Sequence, residues 1–431
     1  MTHTLTPKPS LNFARACAAQ FLRKLEDRKL LQLAEKLCVL ASGAALGIAA
    51  WGEGRTALAA LLVPLALTLV GGRINVYLFA FAYHLAVLRG AVDFIGNWFE
   101  SSSMGIAAWL TFGVVGAIPW TLAWCVNPAR PWTRGASVTG GFLLSLLPWF
   151  AVLQGGHPIY GWGFALQGWG WFGIALALAF TWGAASISDT KQRGYLLGIL
   201  LIALCIVSVN QERLPMRAAG PFIAANTSWG APPKNDGDAI DRYSAVSEVM
   251  QKVGAKKLDP QPVLVFAETT LGRYDNTFMF AHQSMLKLPA RLYAVNAVIG
   301  REFKGKNGEM LNQAVFIDSS GKEQVVNQRQ PALLSMWAPW RKESFSIDWM
   351  RDTKIQVTPD ISARVVICYE EFLPFITLLD EWRGGHDVTL VMANAWPTKD
   401  AALRHVQATH TEGIARLFNR KIVRSENTPA I

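Results

Sequence analysis

Three strand-like runs in the second half of the chain end on side chains that can do chemistry. PVLVFAETT carries Glu268, ARVVICYEE carries Cys368 followed at once by Tyr369 and Glu370, and VTLVMANAW carries Asn394 and Trp396. A thiol becomes a nucleophile when a base takes its proton, and a neighbouring carboxylate can be that base. A carboxylate withdrawn from water holds its proton more tightly, which suits it to accept and return one near neutral pH. Layered α/β domains collect such groups at strand C-termini. Each residue also has an ordinary reading. A strand cysteine is more often a small core residue, and a glutamate at a strand end is usually solvated. The separations along the chain leave the spatial relation of the three open.

The elements that must position these residues begin near Pro221. FIAANTSWG, LYAVNAVIG, NQAVFIDSSG and KIVRSEN read as further strands, the third closing on a Ser-Gly turn. DAIDRYSAVSEVMQKV and HVQATHTEGIARLFNR have the apolar rhythm of helices. Near-continuous apolar strands alternating with helices predict a layered α/β domain over 211–431.

The first half is built for another solvent. Of 431 residues, 51% are hydrophobic and 17% charged, with 17 Trp, and the charge is sparse between Leu31 and Asn210. A spanning helix needs about 20 apolar residues, and runs near 33–51, 57–72, 74–92, 104–126, 135–154, 159–183 and 194–210 predict about seven. They form a multi-span region over 31–210, behind a basic segment over 1–30. Its first run is too far from the terminus and too poorly flanked for a cleavable signal peptide. Trp132, Trp149, Trp162, Trp169 and Trp171 fall near run ends, as an aromatic belt places them. Positive charge alternates from loop to loop, which puts the N-terminus in the cytoplasm and the second half on the other side. The formal net charge of +10 is therefore a topology signal. No basic cluster with interleaved aromatics argues for nucleic acid.

The remaining chemistry is thin. The cysteines Cys17, Cys38, Cys125, Cys205 and Cys368 have no zinc or disulfide spacing. His405 and His410 are spaced poorly for a metal and predict a solvated or packed helix face, while His84 and His157 are isolated. There is no P-loop, no nucleophile elbow and no dinucleotide fingerprint, so no cofactor is implied.

Taken together, PVLVFAETTLG, NQAVFIDSSGKEQVVNQRQP, VVICYEE and ANAW…HVQATHTEGIARLFNRKIVRSEN stand in the order found in the carbon–nitrogen hydrolase (nitrilase) superfamily. With the multi-span half before them, the chain resembles apolipoprotein N-acyltransferase. PALLSMWAPW, standing where that enzyme has a Pro-Phe-Gly-Glu segment, is more similar to conjugal-transfer TraB proteins. The resemblance implies an αββα sandwich on a membrane bundle of about seven spans. It implies a bacterial inner-membrane location with the sandwich in the periplasm, and a Glu–Lys–Cys triad. Glu268 would be the base and Cys368 the nucleophile that forms a thioester. Glu370 would be a supporting carboxylate, and the Tyr369 backbone N–H an oxyanion donor. The acyl donor would be a membrane phospholipid. The acceptor would be a periplasmic or membrane protein, either a lipoprotein or a pilus or conjugation component.

Three departures accompany it. The lysine position falls on Gln328, with Arg329 beside it; Arg329, Lys322 or Lys342 are the cations that could substitute in space. The segment bearing Trp337 and Trp340 has no glutamate and reads either as a substrate-side lid or membrane arm or as buried packing. With Asn394 and Trp396, these two tryptophans form the expected substrate-binding set. The chain also stops at Ile431, which leaves anchoring to the N-terminal half. The departures keep two other functions open: a catalytically impaired scaffold for conjugation, and an amidase-type hydrolase.

Overall fold

The computed structural model describes residues 11–53, 57–124, 130–210, 221–305 and 307–430, with side chains described from Arg28 onward except 205–210. Residues 1–10, the side chains of the basic segment before Arg28 and of Cys17, Cys125 and Cys205, and the expected boundary at 211 lie outside the described residues.

The first half is helical. Helix α1 (Leu11–Trp51) leads through a turn of 3₁₀ helix (Leu58–Leu62) into α2 (Val63–Val70), α3 (Arg73–Val87), α4 (Ala91–Trp98) and α5 (Ser102–Ala123). Then come α6 (Pro131–Leu144), α7 (Pro148–Ala151), α8 (Ile159–Ala165), α9 (Gly170–Ala185) and α10 (Thr190–Asn210). Trp51, Phe79, Tyr83, Phe142 and Tyr160 are among the fully buried side chains of its core.

Among the described residues, Arg28–Trp51 and Ser102–Ala123 are long and apolar enough to cross a membrane. The pairs α3 with α4, bent by 62°, and α8 with α9, bent by 113°, raise that number to four if each is one span. This departs from the roughly seven spans expected on length alone. The reason is that apolar composition reports burial, whereas spanning also needs an unbroken helix. The 57–72 run is a 3₁₀ turn followed by a helix with proline in its first turn, and the 135–154 run stops at Leu144 and resumes on Pro148. The 159–183 run divides at Leu166–Trp169.

The second half is a four-layer sandwich. Its first sheet runs β1 (Phe222–Ala224), β2 (Val263–Val265), β4 (Asn296–Lys304), β5 (Met310–Ile317) and β6 (Glu323–Asn327), with β3 (Arg273–Tyr274) on β4. The second runs β10 (Lys421–Asn427), β9 (Val388–Asn394), β8 (Ile361–Ile367) and β7 (Lys354–Thr358). Alternation decides which residue faces which layer. Val263, Val265, Val298 and Phe316 meet Val365, Ile367, Leu390 and Met392 between the sheets. Leu264, Phe266, Ile299 and Val315 point the other way, onto α11 (Asp236–Gly254), α12 (Met279–His282) and α13 (Leu288–Tyr293). On the outer face of the second sheet, Val366 and Thr389 meet α14 (Pro374–Arg383) and α15 (Ala401–Leu417). Both faces of the central strands are buried, hence their near-continuous apolar sequence.

Helix α15 also joins the two halves, because Leu403, Val406 and Ile414 pack into the core of the helical region. It crosses α8 so closely that a Cβ on Gly163 would lie 1.7 Å from the Gly413 carbonyl oxygen, so only glycine fits the crossing. His410 takes the packed alternative: it is buried, stacked on Tyr160 at 4.0 Å, and its Nε2 accepts the Gly156 N–H at 3.0 Å. His157, isolated in sequence, accepts the Ile159 N–H on Nδ1 and so donates from Nε2 to the Phe142 carbonyl at 3.0 Å.

Candidate active site

The sandwich brings Glu268, Gln328, Cys368 and Asn394 to one end of both sheets. Cys368 follows β8, Asn394 ends the neighbouring parallel strand β9, Glu268 follows β2, and Gln328 follows β6. Asn312 on β5, opposite Gln328, completes the group. Its Nδ2 donates to Glu268 Oε1 at 2.6 Å and to Gln328 Oε1 at 2.8 Å. Gln328 Nε2 in turn donates to the Ile367 carbonyl at 2.8 Å, next to the thiol. The Cys368 thiol shares the site with the Glu268 carboxyl, and its sulfur lies 3.9 Å from the Asn394 carbonyl oxygen.

Two residues here hold strained backbone. Cys368 has φ 45° and Thr269 φ 49°, in the left-handed region that costs a non-glycine residue about 1–3 kcal/mol. The Thr269 turn is pinned by Asn394 Nδ2, which donates to Thr269 Oγ1 at 2.9 Å. Gly300 on β4 lets the strand approach it, since a Cβ there would sit 2.5 Å from the Thr269 nitrogen.

Among the described residues, the electrostatics are those of a site without a cation. Burial pushes the Glu268 carboxyl up to about 7, against the lowering effect of its bonds from Cys368 and Asn312. Burial also pushes the Cys368 thiol well up, and the Glu268 charge adds to it. None of the expected substitutes for lysine serves. Arg329 is fully buried and turned away, with Nη1 2.6 Å from Asp380 and Nε 3.5 Å from Glu370. Lys322 sits in the turn before β6, a full strand away from Gln328, or roughly 17 Å. Lys342 is exposed on the 331–351 loop.

Glu370 is buried and fully engaged. Its Oε1 accepts the Arg329 and Gln330 N–H groups at 2.6 and 3.2 Å, and its Oε2 accepts the Ile367 N–H at 3.0 Å. It therefore ties the segment after Gln328 to the strand end before Cys368. The Tyr369 hydroxyl donates to the Val152 carbonyl of the helical half.

From the thiol a cavity of about 250 Å³ opens toward the helical half. Glu268, Cys368, Asn394 and Gln407 line its polar end, and Phe94, Ile95 and Trp98 of α4 line its apolar wall. Met104, Ala107, Ala108, Thr111 and Phe112 form one face of α5 along it, and Leu333–Met336 cover it. Met104, Ala107 and Thr111 are also exposed, so the cavity opens sideways past a helix apolar enough to span a membrane.

Of the expected substrate-binding residues, Asn394 lines this cavity and the three tryptophans do not. Trp340 is 71% exposed, Trp337 is half-buried off the cavity wall, and Trp396 stands behind Trp98 with ring centroids 5.4 Å apart. The chain turns after Met336, so the residues preceding the tryptophans provide the lid contact. Sequence reasoning missed Asn312, Gln407 and the α4–α5 wall. A polar Asn-Gln pair opening an apolar strand was the available signal for Asn312.

No family model matches the chain. In class, the second half is a helix–sheet–sheet–helix sandwich with a thiol and a carboxyl at its strand ends. Among solved structures it is similar to an amidase from Nesterenkonia sp. AN1, at TM-score 0.35 and 13% identity, covering 47% of this chain and 76% of the amidase. It is also similar to a carbon–nitrogen hydrolase from Helicobacter pylori G27, at TM-score 0.33 and 12% identity, covering 43% and 65%. Across both halves, the chain is weakly homologous to conjugal transfer TraB proteins. It is 23% identical to a probable TraB of Sinorhizobium fredii, over 80% of this chain and 86% of the relative. It is 23% identical to TraB of Agrobacterium fabrum, over 89% and 91%.

Proposed function

We propose that the chain is a membrane-anchored, Cys368-dependent acyl or amide transferase that draws its acyl group from a membrane phospholipid and acts in conjugal transfer. The observation that carries this reading is the cavity: a carboxyl and a thiol at one end, an apolar wall, and a lateral opening past α5. A water-soluble amide has no use for such a wall, whereas an acyl chain is bound by it. The association with conjugation rests on the similarity to TraB proteins.

In this mechanism Glu268 accepts the Cys368 proton as the sulfur attacks the ester carbonyl. The tetrahedral oxyanion is met by the Tyr369 backbone N–H. Collapse breaks the ester C–O bond, Glu268 returns the proton to the leaving lysolipid alkoxide, and a thioester remains on Cys368. An amine of the acceptor protein then attacks the thioester carbonyl. Glu268 takes the amine proton and passes it to the departing sulfur, leaving an amide. Gln328 holds the strand end before the nucleophile and brings no charge. The proposed organisation is a cytoplasmic 1–30, a membrane region over 31–210 and a sandwich over 211–431 facing the periplasm from the inner membrane. The acceptor is a lipoprotein or a component of the pilus or conjugation machinery.

That no described residue places a cation beside the thiol favours a second reading, a scaffold that keeps the fold without turnover. Intact mass of the full chain purified from membranes, before and after hydroxylamine, separates the two. A hydroxylamine-sensitive fatty-acyl adduct that disappears in Cys368→Ala supports the transferase. An adduct found only in Gln328→Lys, or in no variant, overturns it in favour of the scaffold.

A further inference from the structure

We infer that Gln407 is a positioning residue for Cys368: its carboxamide holds the thiol's backbone in its left-handed turn and presents an N–H toward the sulfur. The inference rests on the proposed role of Cys368 and adds a residue that the mechanism above does not use.

The strained turn is gripped by two carboxamides. Gln328, after β6, donates to the carbonyl of residue 367 at 2.8 Å, and Gln407, on α15, donates to the carbonyl of Cys368 at 2.9 Å. The two bonds fix consecutive carbonyls from opposite sides. The same Gln407 Nε2 lies 3.9 Å from the Cys368 sulfur, within reach of an N–H···S contact. Gln407 is itself buried and lines the polar end of the cavity. Its helix has little freedom to rotate. His410, three residues on, accepts the Gly156 N–H, and Thr411, four residues on, donates to Glu371 Oε2 at 2.7 Å.

The charged groups around the sulfur make such a donor count. Glu268 faces it from the turn after β2, and Glu371 faces it from its own 3₁₀ turn, paired with Arg424 at 3.2 Å. Glu370 is held by Arg329. The carboxylates oppose a thiolate, and both arginines are engaged with carboxylates. Beside the Asn394 backbone, a hydrogen bond to the charged sulfur from Gln407 is therefore a local contact that favours ionisation.

The test is the pH dependence of iodoacetamide alkylation at Cys368, read by peptide-resolved mass spectrometry on the full chain in detergent. Gln407→Met keeps the volume and removes the donor; Gln407→Lys puts a cation where the amide nitrogen lies. Gln407→Met should move the alkylation midpoint up and slow the reaction at pH 7 by about tenfold. Gln407→Lys should move the midpoint down. Midpoints that track the parent in both variants overturn the inference, because a packing role moves neither. If Gln407→Met does not fold, an unmoved midpoint in Gln407→Lys overturns it alone. Alkylation needs neither lipid nor acceptor. Shifted midpoints without any acyl adduct would keep this role for Gln407 and remove the transferase, and an adduct with unmoved midpoints would do the reverse.

Discussion

Glu370 and Glu268 are buried carboxyls at the same end of the sandwich, and their surroundings are opposite. Glu370 accepts three backbone N–H groups and faces the Arg329 guanidinium, which is itself shared with Asp380. Glu268 has the side-chain amide of Asn312, the thiol of Cys368 and, among the described residues, no cation. The first carboxyl is held in place by what it joins together. The second is poised near neutrality because burial opposes its charge and little compensates. Proximity to the thiol therefore does not identify the base. The completeness of its solvation by protein does, and an incompletely paired carboxyl is the one able to exchange a proton.

That contrast can be broken by mutation. The largest effect belongs to the reacting pair: Cys368→Ala should abolish the acyl adduct, and Glu268→Gln should slow acylation by about 10²–10⁴. Both should melt close to the parent in detergent, since neither leaves a buried ion unpaired. Glu370→Ala should do the opposite, lowering stability by about 3–5 kcal/mol because Arg329 loses a buried partner. Chemical unfolding reads this directly, and a melting curve like the parent's would erase the distinction between the two carboxyls.

Smaller effects sharpen it. The base works deprotonated, and Glu268 titrates near 7, so acylation should rise about tenfold between pH 6 and pH 8. In Glu268→Gln that rise should vanish. Asn312→Leu removes a neutral hydrogen bond that favours the charged carboxylate, so it should move the midpoint of the profile upward by up to about one pH unit. A downward shift would mean that Asn312 serves the neutral acid instead.

Strand ends were the legible part of this molecule. Buried strands write their alternation and their terminal polar residues into a short window, so Glu268, Cys368 and Asn394 could be named one by one. The links among them could not. Asn312 lies 44 residues from Glu268, and Gln407 lies 39 from Cys368, so the amide connections exist only after the sheets stack. The span number misled for a related reason, because α2, α7 and α8 are apolar through packing while being too short to cross. Trp337 and Trp340 misled through proximity, since the chain touches the cavity at Leu333–Met336 and then turns away.

The crossing of α8 and α15 at Gly163 and Gly413 also has a genetic consequence. The cavity's wall is made by α4 and α5, its cover by Leu333–Met336, and backbone meets backbone where the two halves join. A gene fragment encoding only residues after 220 would inherit the thiol without the volume it serves. Complementation by two separate fragments would have to rebuild a joint that tolerates no extra methyl group, so the unit of function is the undivided reading frame.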